Sequence, residues 1–326
     1  MLKLDNVCAR YETASGYVYS VDHVSFEVRE NEIMGIAGES GCGKSTLLKA
    51  MYDLVSFPLE ICGGKVCLEE DGKTYTTGEI RKQWWKSISY VPQGAMHVLN
   101  PVRKVREQFF DVIPPERRLP RKQQEQQILE YLKELELPPE ALDAYPHQLS
   151  GGMRQRVIIA MATFLSPKLV LADEPTTALD VVVQRGILTM LARVQRKLKN
   201  SMVIVSHDMG VHYQITNRMG IMYAGQMIEE GPTEEIFERP RHPYTQMLIR
   251  ALPRLGDSSQ REGIAGLPPS LKNPPAGCRF APRCPYAGER CRKEQPASFT
   301  VGERHVASCH LLEKEAASAG GAYGNV

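Results

Sequence analysis

Gly38-Glu39-Ser40-Gly41-Cys42-Gly43-Lys44-Ser45-Thr46 has the form G-x-x-x-x-G-K-[ST]. The apolar run Ile33-Met34-Gly35-Ile36-Ala37 leads into it, and Leu47-Leu48-Lys49-Ala50-Met51 follows with helical character, in a helix expected to run to about Leu54. Strand, loop and helix in that order are the setting in which this pattern makes a phosphate site. Glycines let the backbone curl so that N–H groups converge on a polyphosphate, and the following helix presents its positive dipole end to the same charge. In this setting Gly38, Ser40, Gly41, Cys42, Gly43 and Thr46 shape the cradle. Lys44 reaches the terminal phosphates, and Ser45 offers a hydroxyl to Mg²⁺.

Working outward, the N-terminal side reads as strands. Residues 3–10 and 18–28 alternate in polarity and are separated by a polar turn at 13–16. Tyr11 closes the first strand; an aromatic there suits a flat base, although alone it is an ordinary strand-end residue. Residues 64–77 read as an antiparallel pair around Asp71-Gly72, 79–86 as a short helix, and 88–92 as a strand ending at Gln93. From 94 to 148 the pattern turns helical and polar, with Ile128, Leu129, Leu132 and Leu135 at helical spacing.

Leu149-Ser150-Gly151-Gly152-Met153-Arg154-Gln155 then opens a helix. Ser150 suits an N-cap. Two glycines in a first turn cost about 1 kcal/mol each relative to alanine, and they suit close approach of an anion. Lys168-Leu169-Val170-Leu171-Ala172-Asp173-Glu174 is an apolar strand ending in two carboxylates, at the rim where ligands bind to parallel sheets. Asp173 suits a Mg²⁺ shell and Glu174 an attacking water. A turn through Asp180 leads to a helix over 181–198, then a strand over 201–206 with His207 at its end. Residues 218–227 read as one more strand, and 232–239 and 244–252 as helices.

Composition bounds the rest. A chain of 326 residues with 42% hydrophobic content builds a sizeable core, and a net charge of +2 from 40 basic and 38 acidic residues gives no reason to expect nucleic acid as a partner. The N-terminus lacks a signal-peptide apolar core. The longest apolar stretch, 157–165, is about half of the ~20 residues that span a bilayer. The expectation is a soluble, cytosolic chain, in which eight cysteines do not form a disulfide framework. Four of them, Cys278, Cys284, Cys291 and Cys309, crowd the tail beyond a Gly/Ser/Pro-rich stretch. Their spacings, C-x₅-C, C-x₆-C and C-x₁₇-C, contain none of the tight pairs that zinc favours. Both a [4Fe–4S] cluster and zinc stay open, with Arg279, Arg283, Arg290 and Arg292 near enough in sequence to offset a cluster's negative charge.

Together these motifs resemble, in order and spacing, the ATP-binding cassette ATPases over residues 2 to about 250. The resemblance makes 38–46 the Walker A loop, Gln93 the Q-loop glutamine, 149–155 the signature, 169–174 Walker B with its glutamate, 178–180 the D-loop, His207 the switch histidine and Tyr11 the adenine-stacking aromatic. A narrower resemblance, to the ATPases of dipeptide/oligopeptide (and nickel) importers, rests on Glu230-Gly231-Pro232-Thr233, His242-Pro243-Tyr244-Thr245 and the four-cysteine tail. One departure is Gly94-Ala95-Met96, where that group has Asp-Pro after the glutamine; it touches the segment that meets the membrane subunit.

The resemblance implies an α/β P-loop NTPase cassette with an N-terminal antiparallel β-subdomain, an inserted helical subdomain and a small cysteine-rich C-terminal extension. The expected boundaries are 1–93 and 157–252 for the ATP-binding core and 94–156 for the helical signature subdomain. A linker over 253–277, a four-cysteine metal-cluster module over 278–315 and a disordered tail over 316–326 follow. It further implies ATP and Mg²⁺, the latter on Ser45, Gln93 and Asp173, and a [4Fe–4S] cluster on the four cysteines, with zinc as the alternative. Glu174 acts as general base, with His207 and Gln93 completing the catalytic set. Ser150, Gly151, Gly152 and Asp180 serve the nucleotide of a second ATPase subunit, a related heterodimer partner. The expected role is peripheral, on the cytoplasmic face of the membrane. There the chain drives two permease subunits fed by an extracytoplasmic binding protein for dipeptides or oligopeptides. The alternatives are an oligosaccharide or nickel importer, or a soluble cassette ATPase uncoupled from transport.

Overall fold

The computed structural model describes residues 1–94, 98–252 and 263–313. In chain order the elements begin with β1 (Leu2–Thr13), β2 (Gly16–Val28), β3 (Ile33–Ala37), α1 (Lys44–Met51), β4 (Leu59–Glu70), β5 (Lys73–Thr76) and β6 (Ile88–Val91). They continue with α2 (Val105–Val112), α3 (Arg121–Glu134), α4 (Gly151–Thr163), β7 (Leu169–Asp173), α5 (Val181–Leu198) and β8 (Ser201–Val205). Last come α6 (Met209–Ile215), β9 (Arg218–Tyr223), β10 (Gln226–Pro232), α7 (Thr233–Glu238), α8 (Pro243–Arg250), α9 (Glu289–Lys293), β11 (Ser298–Gly302) and β12 (His305–Ser308). Among these, no helix is long and apolar enough to cross a membrane.

The chain divides into two compact units, Met1–Leu2 with Val28–Ile33 and Cys67–Val205, and Lys3–Glu27 with Met34–Val66 and Ser206–Val326. In the first, β6, β7 and β8 run parallel, Ile88 opposite Leu169 and Leu169 opposite Ser201. All five residues of β7 and of β8 are buried, as strands covered on both faces must be, which is why they read as unbroken apolar runs. Helix α5 follows from an apolar stripe at Ile187, Leu188, Leu191 and Val194, all buried. Asp180 starts it by accepting from the Val182 and Val183 N–H groups, and Lys199 ends it in the left-handed region at φ 49°. Helices α2 and α3 fall within 94–148, and Ile128 and Leu132 are the buried stripe of α3. Helix α4 runs unbroken across position 156, where the sequence suggested a domain boundary.

In the second unit β2, β1 and β4 lie side by side. The two-residue connection between β1 and β2 makes that pair antiparallel. The part of the other sheet that lies in this unit has the order β3-β9-β10-β12-β11. Strand β3 is parallel to β9, and the other pairs are antiparallel. Its core includes Tyr223, Tyr244 and Phe280, whose ring centroids lie 4.7, 5.2 and 5.4 Å apart pairwise. Phe280 belongs to the cysteine tail, and β12 of the same tail pairs with β10 of the body. The C-terminal segment is therefore built into this unit's core.

Three expectations change. Residues 218–227 are not one strand. Ala224 and Gly225, at φ 46° and 87°, turn the chain back in a two-residue hairpin between Tyr223 and Gln226. The segment 79–86 holds only a short 3₁₀ turn, Ile80–Gln83, and α1 stops at Met51 rather than near residue 54. Helix α6 and the hairpin β11–β12 have no counterpart in the sequence reading. Residues 95–97, most of the departing Gly94-Ala95-Met96, lie outside the described residues. So do 253–262 of the expected linker and the whole 316–326 tail.

Candidate functional site

The phosphate loop leaves β3 and enters α1 at Lys44. Gly38 and Gly43 are forced by their surroundings. Gly43 sits at φ 108°, where a Cβ would lie 1.9 Å from the Ser20 carbonyl oxygen, and a Cβ on Gly38 would lie 2.2 Å from that of Met222. The loop thus runs hard against neighbouring backbone with no room for a side chain. The Lys44 ammonium turns into the loop, donating to the Gly38 and Glu39 carbonyls at 2.8 and 2.9 Å, and the residue is 5% exposed. That concentrates a positive charge within a curl of backbone, the arrangement that receives a polyphosphate. The Tyr11 hydroxyl lies 3.3 Å from Thr46 Oγ1, so the aromatic stands beside the first turn of α1. Cys42 is buried, and burial pushes its thiol pKa up.

Two groups around this loop were not foreseen. Glu39 lies inside the loop, and its carboxylate takes two hydrogen bonds from Arg283 at 2.8 and 2.9 Å. Its N–H donates to the Tyr244 hydroxyl at 3.0 Å. Beneath His207, which is exposed, α6 buries His212 completely. Its Nε2 lies 3.1 Å from the Ser206 carbonyl oxygen, and burial pushes its pKa down to about 4.

In the other unit the acidic strand end is equally ordered. Asp173 is buried and accepts from the Tyr90 hydroxyl at 2.9 Å. Glu174 has φ 45°, a left-handed conformation that glutamate rarely adopts. Its Oε2 accepts from Gln93 Nε2 at 3.1 Å and from Thr177 Oγ1 at 2.7 Å. The predicted Gln93 and Glu174 thus meet, and Tyr90 and Thr177 are the partners that sequence alone did not supply. The left-handed backbone and the two hydrogen bonds together fix the carboxylate at the carboxyl end of β7.

Ser150 caps α4, its Oγ accepting from the Met153 N–H at 3.3 Å. Gly152 has a reason beyond anion approach: a Cβ there would meet Val183 Cγ1 at 2.6 Å, so α5 packs on bare backbone. Asp180 Oδ1 caps α5, accepting from the Val182 and Val183 N–H groups.

The four tail cysteines are free of disulfides. Burial pushes the Cys278, Cys284 and Cys309 thiols up, Cys309 to about 11, and Cys291 adds to each rise. The backbone gathers three of them: the Cys278 N–H donates to the Cys291 carbonyl at 2.8 Å, and Cys278 and Cys284 pack against the same apolar cluster. Among the described residues, the only trio of ligand atoms mutually within 4.8 Å is Cys8, Asp22 and His23, where Asp22 is already paired with Arg279. No three tail thiols close to the roughly 3.8 Å separation of a tetrahedral zinc site. The donor set is soft, clustered and wide. Three of the four arginines near the cysteines pair with carboxylates. Arg279 binds Asp22 and the Ala224 carbonyl, Arg283 binds Glu39, and Arg290 binds Glu294 and Glu313. Each guanidinium found a carboxylate distant in sequence or one helical turn away.

The comparisons with known proteins agree with this geometry. Residues 21–177 match the family model described as ABC transporter, and residues 228–291 match the oligopeptide/dipeptide transporter C-terminal region. The dipeptide transport ATP-binding protein DppD of Caldanaerobacter subterraneus subsp. tengcongensis is 40% identical over 319 residues, 96% of this chain and 98% of that one. The protein of the same name from Escherichia coli K12 is 37% identical over 314 residues, covering 95% and 96%. Among solved structures, an ATP-binding cassette captured as a dimer in a post-hydrolysis state with ADP and Pi matches 72% of this chain and 99% of its own. Its TM-score is 0.62 at 28% identity. With its phosphate loop, its acidic strand end and relatives that match almost end to end, the chain belongs to the ABC transporter ATPases, in the dipeptide/oligopeptide transport group.

Proposed function

We propose that this protein is the ATP-hydrolysing subunit of an importer for dipeptides or oligopeptides, bound peripherally on the cytoplasmic side of the membrane. The phosphate loop carries the proposal. Its glycines admit no side chain, its lysine is turned inward, and its relatives are named for ATP binding and dipeptide transport.

In this reading the loop amides of 38–46 and Lys44 hold the triphosphate, and Tyr11 stacks on the adenine. Gln93 and Thr177 aim the Glu174 carboxylate, which takes the proton from the attacking water. His207 steadies the γ-phosphate from the turn that His212 supports. Ser45, Gln93 and Asp173 are hard oxygen donors suited to Mg²⁺, which when bound supplies charge neutralisation on the phosphates. Ser150, Gly151, Gly152 and Asp180 face the nucleotide of a second cassette. Two observations support partner surfaces. Val181 and Val182, beside Asp180, are each 82% exposed, and Val102, in the segment after Gln93, is 79% exposed. Unsheltered valines at these two places suit a second cassette and a permease, respectively.

The helices between 94 and 156 form the signature subdomain. Cys278, Cys284, Cys291 and Cys309 hold a [4Fe–4S] cluster rather than zinc, because their sulfurs are clustered but spaced wider than zinc takes. A cluster bound there would cross-link four points of the C-terminal segment.

The direct test is Glu174→Gln. Removing a general base costs about 10²–10⁴ in rate, so turnover falls by that factor while ATP binding survives. Hydrolysis at near wild-type rate would remove Glu174 from the role.

A further inference from the structure

Glu39 poses an electrostatic problem. It is one of the residues whose backbone forms the phosphate cradle, and its carbonyl binds Lys44. A free carboxylate at that position would oppose the incoming polyphosphate. The structure places a guanidinium on it. Arg283 Nη1 and Nη2 each donate to one Glu39 oxygen, at 2.8 and 2.9 Å, a bidentate fork that lysine cannot form. The remaining donors of Arg283 are also used. Nη1 reaches the Tyr223 hydroxyl at 3.1 Å, Nη2 the Ile264 carbonyl at 3.0 Å and Nε the Ala265 carbonyl at 3.0 Å. All five N–H groups of the guanidinium are thereby satisfied. The Arg283 side chain is 5% exposed and Glu39 26%, so water screens this pair far less than a surface pair.

Arg283 lies 244 residues from Glu39 in sequence and immediately before Cys284. Its own N–H is held by the Phe280 carbonyl at 2.9 Å, in the 3₁₀ turn Ala281–Arg283. The guanidinium's position is therefore set by the cysteine segment, and the loop's charge is set by the guanidinium. We propose that Arg283 is a positioning residue for nucleotide binding: it neutralises and orients Glu39, so that the C-terminal cysteine segment controls the affinity of the phosphate loop. The proposal rests on the reading of 38–46 as the nucleotide site. It adds a specific dependence of that site on a residue outside every nucleotide motif.

The test is a charge-suppression series on the full chain, titrated with a fluorescent ATP analogue plus Mg²⁺, and with MgATP turnover measured in the assembled membrane complex. Arg283→Gln exposes the Glu39 charge and weakens binding about tenfold, seen as a raised KM with kcat within about twofold. Arg283→Lys keeps charge without the fork and loses about threefold. Glu39→Gln removes the repulsion, so the double variant Arg283→Gln/Glu39→Gln returns to within about threefold of wild type. A purely structural role for Arg283 would not be rescued by altering Glu39. Wild-type affinity in Arg283→Gln, or a double variant as weak as the single, overturns the proposal. If Arg283→Gln does not fold, Glu39→Gln alone decides. It binds the analogue at least as tightly as wild type, and weaker binding overturns the proposal. Lys44→Ala separates the two levels of the argument: retained binding there would remove the loop itself as the nucleotide site, whatever Arg283 does.

Discussion

The phosphate loop and the cysteine segment share one compact unit but hold their shapes by different means. The loop is a backbone structure. Gly38 and Gly43 press against the carbonyls of Met222 and Ser20, and Lys44 folds back on its own loop's carbonyls. The segment is held by side chains reaching across the sequence: Arg279 to Asp22, Arg283 to Glu39, and His305 to Glu229, which is buried and also caps the Arg241 and His242 N–H groups. A structure of the first kind fails when an atom is added, one of the second kind when a charge is removed.

The largest effect that would break this contrast is in the loop. Gly43→Ala puts a methyl 1.9 Å from the Ser20 carbonyl, so the cradle must open. Affinity for MgATP falls at least about a hundredfold by calorimetric titration, since several amide contacts to phosphate are lost together. Unchanged affinity would mean that the close approach is not what shapes the loop. In the segment, the expected loss is of the bound group. Protein purified without oxygen is brown, carries about four irons and bleaches on reduction, and Cys309→Ser comes out colourless. A colourless wild type holding one zinc would reverse the assignment.

The smallest effect compares acid sensitivity. His212 lies under the turn before α6, and His242 packs against Phe280, 5.8 Å between centroids. Burial pushes both pKa values down from 6.5 to about 4. Unfolded, each takes a proton near pH 6.5; folded, each refuses it until about pH 4. Their stabilisation is thus complete above pH 6.5 and is lost on acidification, about 2 kcal/mol per histidine between pH 7 and pH 5. His242→Asn keeps a capping side chain for the Tyr244 N–H and removes one titration. Urea unfolding at the two pH values will then show a smaller acid loss than wild type; an identical loss would deny His242 its share.

How much of this was legible in the sequence follows from the same contrast. Gly43, Lys44 and Ser150 were legible because each acts on backbone within a few residues of itself. Walker B was legible because a strand buried on both faces must be an apolar run, and its carboxylates mark where it ends. The partners of Glu174, Tyr90 and Thr177, look like ordinary strand and turn residues until the strands are laid side by side. Arg279, Arg283 and Arg290 were visible as charges, but the sequence did not show which carboxylates they pair with. Asp22 and Glu39 are more than 240 residues away, and only the fold brings them in. The hairpin at Ala224-Gly225 was missed for a local reason. Ala-Gly lacks the asparagine or aspartate that usually announces a turn with two left-handed residues, and the apolar run continues through it.

The most direct measurement is a structure of the Glu174→Gln protein trapped with MgATP in its membrane complex. The triphosphate is expected to sit against Lys44 and the amides of 38–46, with Arg283 still locked on Glu39. Nucleotide bound elsewhere, with Lys44 turned to solvent, would contradict that expectation.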